Sequence, residues 1–405
     1  MEIEKAILVA KISDLEELEE LKLLSKTAGV KVQNVLLFGG EPDPASFLRS
    51  GKLEELKYLV MEQRADLVIF NNDLSPVQLR NIEKEIPARI VDRTMLILDI
   101  FAQHARSKEG KIQVELAQLE YLLPRLTGRG ETLSRLGGGI GTRGPGETKL
   151  EIDRRKIRKR IHTLKKELEE IKREREVQRK QRLNLPQIAL VGYTNAGKST
   201  LFNLLTGANV RAEDLLFATL DPTVRKVNFK NNWEVLISDT VGFIRNLPEE
   251  LLTAFRATLE EIYYVDLILH VIDISDKDFR KQIEVVESIL EDMGIEDKTI
   301  IRVYNKIDLL SKEEVRYLKQ ELDYKPSVFI SAKEGIGIEK LKDLIVNELL
   351  KGVRRYKINI PYNKFNLFQK YRGKLYIEEE NYKENFVEIK ARVPKEYKKL
   401  LDELR

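Results

Sequence analysis

The chain has 405 residues, with 70 Lys or Arg against 66 Asp or Glu, and no cysteine. That length exceeds one ordinary core and predicts several domains. The lack of cysteine excludes a disulfide framework and thiolate metal sites, and a net charge of only +4 shifts attention from the total charge to its placement.

The N-terminal stretch MEIEKAILVAKISD carries charges inside its first apolar run, unlike a signal peptide. No apolar run approaches the ~20 residues that span a bilayer. The expected location is the cytoplasm, with no membrane role.

From residue 1 to 93, AILVAKI, VQNVLLF, ADLVIFNN and ARIVDR read as short buried strands. LEELEELKLLSKTAG, SGKLEELKYLVMEQ and SPVQLRNIEKEI between them read as helices. Strand alternating with helix predicts a small parallel α/β domain.

Residues 94 to 183 change character. Ile112, Leu116, Leu119 and Leu123 recur at 4-3-4 spacing, and Leu150, Ile157, Ile161, Leu164, Leu168 and Ile171 at 7-4-3-4-3. Two such stripes predict a long antiparallel helical hairpin that buries its own seam. Residues 151 to 182 hold fourteen Lys or Arg against seven Asp or Glu. That surplus is either a solvated helix face or a surface for RNA phosphates. The tip loop, 127–149, is rich in glycine and carries Arg129, Arg135, Arg143 and Lys149. It reads either as a flexible linker or as a loop ordered by RNA backbone, with those four residues as candidate contacts.

Residues 184 to 350 alternate strand and helix again, as in a doubly wound P-loop domain whose ligand motifs sit at strand ends. The strand PQIALV runs into GYTNAGKST, which fits G-x-x-x-x-G-K-[ST] and precedes a helical run. Gly192, Tyr193, Thr194, Asn195, Ala196, Gly197, Lys198, Ser199 and Thr200 would cradle phosphates at a helix N-terminus. Lys198 would reach the β- and γ-phosphates and Ser199 would bind Mg²⁺. DTVG places Asp239 for the outer Mg²⁺ shell, next to Thr240 and Val241, and Gly242 where a backbone N–H can meet the γ-phosphate. In NKID, the Asp308 carboxylate can accept from both N1–H and N2–H₂ of guanine, a donor pair adenine lacks. Asn305 would brace the loop and Lys306 would cover the ring. In ISAKEG, Ser331, Ala332 and Lys333 follow a strand, and the Ala332 N–H can donate to guanine O6. Four motifs in this order predict a GTPase.

FATLDPT supplies the switch loop, with Phe217, Ala218, Thr219, Leu220 and Asp221. Thr219 or Thr223 would complete the Mg²⁺ shell, and spacing alone does not choose. The position that holds a water-orienting Gln in Ras-like sites is Phe243. Intrinsic hydrolysis is therefore expected to be slow. Asn195 either braces the loop or ligates K⁺. His104, His162 and His270 are scattered and read as structural. From 351 to 405, YKINIPY, KLYIEEE and FVEIKARV read as strands with two short helices, a small α+β domain.

The chain resembles the HflX family of GTPases. The resemblance rests on GYTNAGKST, FATLDPT, DTVGFIRNLP and NKID, and more specifically on VDRTMLILDIFAQHA, KIQVELAQLEYLLPRL and GGIGTRGPGETKLE in that order. It implies Thr219 as the switch threonine, so that Lys198, Thr219, Gly242 and Asn195 carry hydrolysis. It also implies a ribosome-associated GTPase that binds the large subunit and its rRNA and splits stalled or idle ribosomes, with hydrolysis allowing release; no sequence feature demands more than a monomer. The runner-up is a ribosome-assembly or hibernation factor, or an RNA chaperone, without splitting. The family's N-terminal domain has been proposed to bind nucleotide, ATP included, yet residues 1 to 93 carry no phosphate loop.

Overall fold

The computed structural model describes residues 3–126, 149–182, 185–208, 216–217, 223–245, 260–295, 297–322, 324–394 and 397–404. The chain forms two compact units. The first is built on the residues up to Arg173 and takes in Leu216 and Phe217; the second is built on 187–208, 223–245 and the described residues from 260 onward.

In the first unit, β1 (Lys5–Lys11), β2 (Lys31–Phe38), β3 (Leu67–Phe70) and β4 (Arg89–Val91) form a parallel sheet of order β2-β1-β3-β4. Ala6 to Ala10 are fully buried, which explains the unbroken apolar run: a central parallel strand is covered on both faces. Helices α1 (Leu15–Thr27), α2 (Ser50–Gln63) and α3 (Pro76–Glu85) alternate with the strands. Ser75 starts α3 with a capping box to Gln78.

Asp92, just past β4, is fully buried and caps α4 (Arg93–His104) by accepting from the Met95 N–H at 2.9 Å. It also accepts from Leu74 N–H at 3.3 Å and from the Tyr121 hydroxyl, and pairs with Arg125 at 3.6 Å. Tyr121 and Arg125 belong to α5 (Lys108–Arg125), so one carboxylate ties this helix to the sheet. Ser107 caps α5 through the Gly110 N–H at 2.8 Å, which breaks α4 from α5.

The expected hairpin joins α5 to α6 (Lys149–Arg182). Its seam centres on Ile112, Leu116 and Leu164, with Leu119, Ile161, Leu168 and Ile171 packed alongside; Leu123 and Ile157 lie outside it. Part of the basic surplus is paired across this seam. Arg160 donates to both Glu115 oxygens at 2.6 and 2.7 Å, and Lys165 reaches Glu120 at 2.7 Å.

The second unit has a six-stranded sheet of order β10-β9-β8-β5-β7-β6. Its strands are β5 (Gln187–Gly192), β6 (Thr223–Asn228), β7 (Glu234–Asp239), β8 (Leu267–Asp273), β9 (Thr299–Asn305) and β10 (Ser327–Phe329). All neighbours run parallel except β6, an antiparallel edge strand absent from the sequence reading. Its polar sequence TVRKVN buries no residue fully, so it carries no apolar signal. Helices α7 (Lys198–Thr206), α8 (Phe279–Asp292), α9 (Lys312–Glu321) and α10 (Ile338–Leu349) complete the doubly wound domain.

The C-terminal α+β part has the antiparallel order β11-β13-β12, from β11 (Arg355–Pro361), β12 (Tyr376–Tyr382) and β13 (Phe386–Arg392). Helices α11 (Phe365–Tyr371) and α12 (Lys398–Leu404) cover one face, around Phe368, Ile389 and Leu401. Tyr376 meets Trp233 edge-on at 5.4 Å between ring centroids, beside the β6–β7 turn.

Candidate functional site: a phosphate loop with guanine-reading motifs

The loop Gly192–Ser199 leaves β5 and enters α7 at the carboxyl edge of the sheet. Gly197 caps α7 with φ +93°, and an added Cβ would lie 2.3 Å from Asn305 Nδ2. Only glycine fits both demands. By helix geometry, the first-turn N–H groups of α7 have no intrahelical partner and face the loop's concavity.

Lys198 is buried, and its ammonium donates to the carbonyls of Gly192 at 3.1 Å and Tyr193 at 2.8 Å. Burial pulls its pKa down to about 8, against the opposing charge of Asp239. The Ser199 hydroxyl donates to Asp239 Oδ2 at 2.8 Å. This convergence of hydroxyl and carboxylate is a hard-oxygen donor set, so the residues fit Mg²⁺. Among the described residues, no cluster of three or more His, Cys, Asp or Glu forms a metal site. Thr240 braces the strand end, donating to Leu190 O at 2.6 Å.

Gly242 passes close over the loop: an added Cβ would lie 2.8 Å from Thr194 Cγ2 and 3.0 Å from Lys198 Nζ. Phe243 pairs with Tyr193 in a parallel bridge, and its ring is buried against Val191, Ile268 and Leu290. It points into the core and cannot orient water. The Thr194 hydroxyl is buried without a hydrogen-bond partner among the described residues. Asn195 adopts φ +61°.

Asn305 holds two of the loops together. Its amide donates to Ala196 O at 2.9 Å, and its carbonyl accepts from the Ala332 N–H at 2.9 Å. Lys306 pairs with Asp273 at 2.6 Å. Asp273 ends β8 and was not singled out in the sequence; its position at the end of DLILHVID is the available signal. Asp308 is exposed in the turn after β9, as a ligand-facing carboxylate must be. Ser331 is fully buried, Ala332 is buried and Lys333 is exposed.

The sheet and its loops thus bring together 192–200, Asp239–Gly242, Asn305–Asp308 and 331–333. The Phe217 ring is committed elsewhere: it is buried with φ +56° and lies 4.5 Å from Phe101. Leu216 N–H donates to Thr27 Oγ1 at 3.2 Å. Ala218, Thr219, Leu220 and Asp221, like Arg129, Arg135 and Arg143, lie outside the described residues. Lys149 is the first residue of α6.

The family described as GTP-binding GTPase N-terminal matches residues 15–102, that described as GTP-binding GTPase Middle Region matches 104–182, and that described as 50S ribosome-binding GTPase matches 187–306. A GTPase HflX from Caldanaerobacter subterraneus subsp. tengcongensis is 51% identical over 98% of this chain and 93% of its own. The chain belongs to the HflX family of GTPases. The Escherichia coli GTPase HflX is 42% identical, covering 96% of this chain and 94% of that one. A crystal structure of a GTP-binding protein from Sulfolobus solfataricus in complex with GDP is 30% identical, covering 86% of this chain and 99% of that one, with a TM-score of 0.46.

Membership makes this HflX-family chain a GTP hydrolase. Among the described residues, no helix is long and apolar enough to cross a membrane. His104 Nδ1 lies 2.8 Å from Ile100 O within α4. His270 is buried in β8, and burial, with the nearby positive charges of Arg302 and Lys198, holds it down to about 3 and so neutral.

Proposed function

We propose that this HflX-family GTPase binds the large ribosomal subunit in its GTP form, splits stalled or idle ribosomes into subunits, and leaves after hydrolysis. The observation that carries the ribosomal reading is the match of 187–306 to the family described as 50S ribosome-binding GTPase. The basic α6 supplies phosphate-seeking charge on the hairpin, and Arg129, Arg135, Arg143 and Lys149 are assigned to rRNA.

GTP is held by the loop amides and by Lys198, which exchanges two carbonyls for β- and γ-phosphate oxygens. Asp308 reads guanine, and Asn305 keeps the loop bearing Ala196 and the turn bearing Ala332 in place for it. Ser199, with Thr219, is assigned to Mg²⁺, and Asp239 to its outer shell. When bound, Mg²⁺ offsets charge building on the phosphates. Gly242 N–H is assigned to the γ-phosphate. Phe243 supplies no water-orienting group, so Asn195 is assigned to K⁺, whose charge would offset that developing on the leaving GDP, and the ribosome completes activation. The working location is the cytoplasm and the working form a monomer.

Sucrose gradients of intact ribosomes incubated with the protein and a non-hydrolysable GTP analogue test this. Dissociation into free subunits, with the protein on the large one, supports splitting. Co-sedimentation with intact ribosomes favours a hibernation or assembly factor.

A further inference from the structure

The phosphate loop and the strand end after Asp239 are bonded to each other. Thr194 N–H donates to Phe243 O at 2.7 Å, and Phe243 N–H donates to Gly192 O at 3.1 Å. A third bond comes from a side chain: the Tyr193 hydroxyl accepts from the Arg245 N–H at 2.9 Å. Tyr193 is only 6% exposed, so its side chain has little freedom to swing away. The carbonyl of the same residue accepts from Lys198 Nζ at 2.8 Å and from the Ala196 N–H at 3.3 Å.

Tyr193 therefore touches the phosphate-binding lysine with its backbone and the γ-phosphate-facing segment with its side chain. Two backbone bonds hold Phe243; the hydroxyl holds Arg245, two residues on, and stops the segment from pivoting about Phe243. The direction of the Gly242 N–H depends on that orientation. The staple engages the Thr194 N–H, but none of its three bonds uses the first-turn amides of α7, which stay available to phosphate.

We propose that Tyr193 is a positioning residue for GTP hydrolysis: its hydroxyl fixes residues 242–245 on the phosphate loop and so orients the Gly242 N–H. The residue after Gly242 is the buried Phe243, which orients no water and makes the site depend more on backbone placement. A displaced donor costs rate rather than ground-state binding, since its bond strengthens as charge develops.

The test is Tyr193→Phe, which removes one oxygen and keeps the ring and the backbone bridge. Single-turnover GTP hydrolysis should slow about three- to ten-fold, the range for one lost neutral hydrogen bond. Kd values for GTP and GDP should stay within about two-fold, because the hydroxyl touches no cradle amide. Amide exchange should quicken at Arg245 and stay slow at Thr194. An unchanged or faster single-turnover rate would overturn the proposal. So would nucleotide affinity and melting temperature falling in step with the rate, since that pattern belongs to a purely structural tyrosine.

Discussion

Ser199 and Asp239 meet directly: the serine hydroxyl donates to Asp239 Oδ2 at 2.8 Å. The fold itself thus brings together the two residues assigned above to Mg²⁺. Ser199→Ala should lower stability by about 1–3 kcal/mol, because Asp239 is fully buried and loses a donor. It should also abolish the Mg²⁺ dependence of GTP affinity. Titrating fluorescent GTP with Mg²⁺ or EDTA checks this; a variant still weakened by EDTA would contradict the assignment.

Asp308→Asn tests base reading. On the proposed reading the carboxylate would accept from two guanine donors, and an amide there would face one of them donor to donor. GTP affinity should fall by about 100-fold or more, as in sites built around hydrogen-bonding groups. Xanthosine triphosphate, with a carbonyl at C2, should bind better than GTP. Competition binding with the two nucleotides decides.

Lys198 gives a pH signature. Its folded pKa of about 8 lies below the ordinary 10.5 because the ammonium is buried. The nucleotide-free fold is therefore favoured most above pH 10.5 and loses that advantage as pH falls through about 8. A diphosphate against the ammonium raises its pKa again. GDP binding at pH 8 should then take up about half a proton, and close to none at pH 6.5. Calorimetry in buffers of different ionisation enthalpy measures this; uptake equal at both values would contradict it.

Asp92 is the stability counterpart. Burial raises its pKa, with the Tyr121 hydrogen bond opposing, and its oxygens serve two amides, a tyrosine and an arginine. Asp92→Ala should cost about 2–4 kcal/mol, from a lost helix cap and buried unpaired donors. Asp92→Asn should cost less, since its carbonyl can still cap α4. Equilibrium denaturation separates them, and equal costs would show that the cap contributes nothing.

The loops that converge at the sheet edge were legible because their signals are local: loop, strand end and helix start lie within a few residues of one another, as in 192–200 and 305–308. The hairpin was legible from its apolar spacing. What escaped are contacts across long sequence separation. Asp273 on Lys306, Tyr193 on Arg245 and Phe101 on Phe217 leave no periodic trace, because each residue type also suits an ordinary strand end or core. Strand β6 escaped because an exposed edge needs no apolar side chains. The charge count of α6 overstated its free positive surface, since Arg160 and Lys165 are paired with α5.

The most direct measurement is GTP hydrolysis with and without purified large ribosomal subunits, in K⁺ and in Na⁺. A site whose glutamine position is the buried Phe243 should turn over slowly alone and at least ~10-fold faster with the subunit, more so in K⁺ than in Na⁺. A slow rate unchanged by the subunit in either salt would contradict a ribosome-activated GTPase.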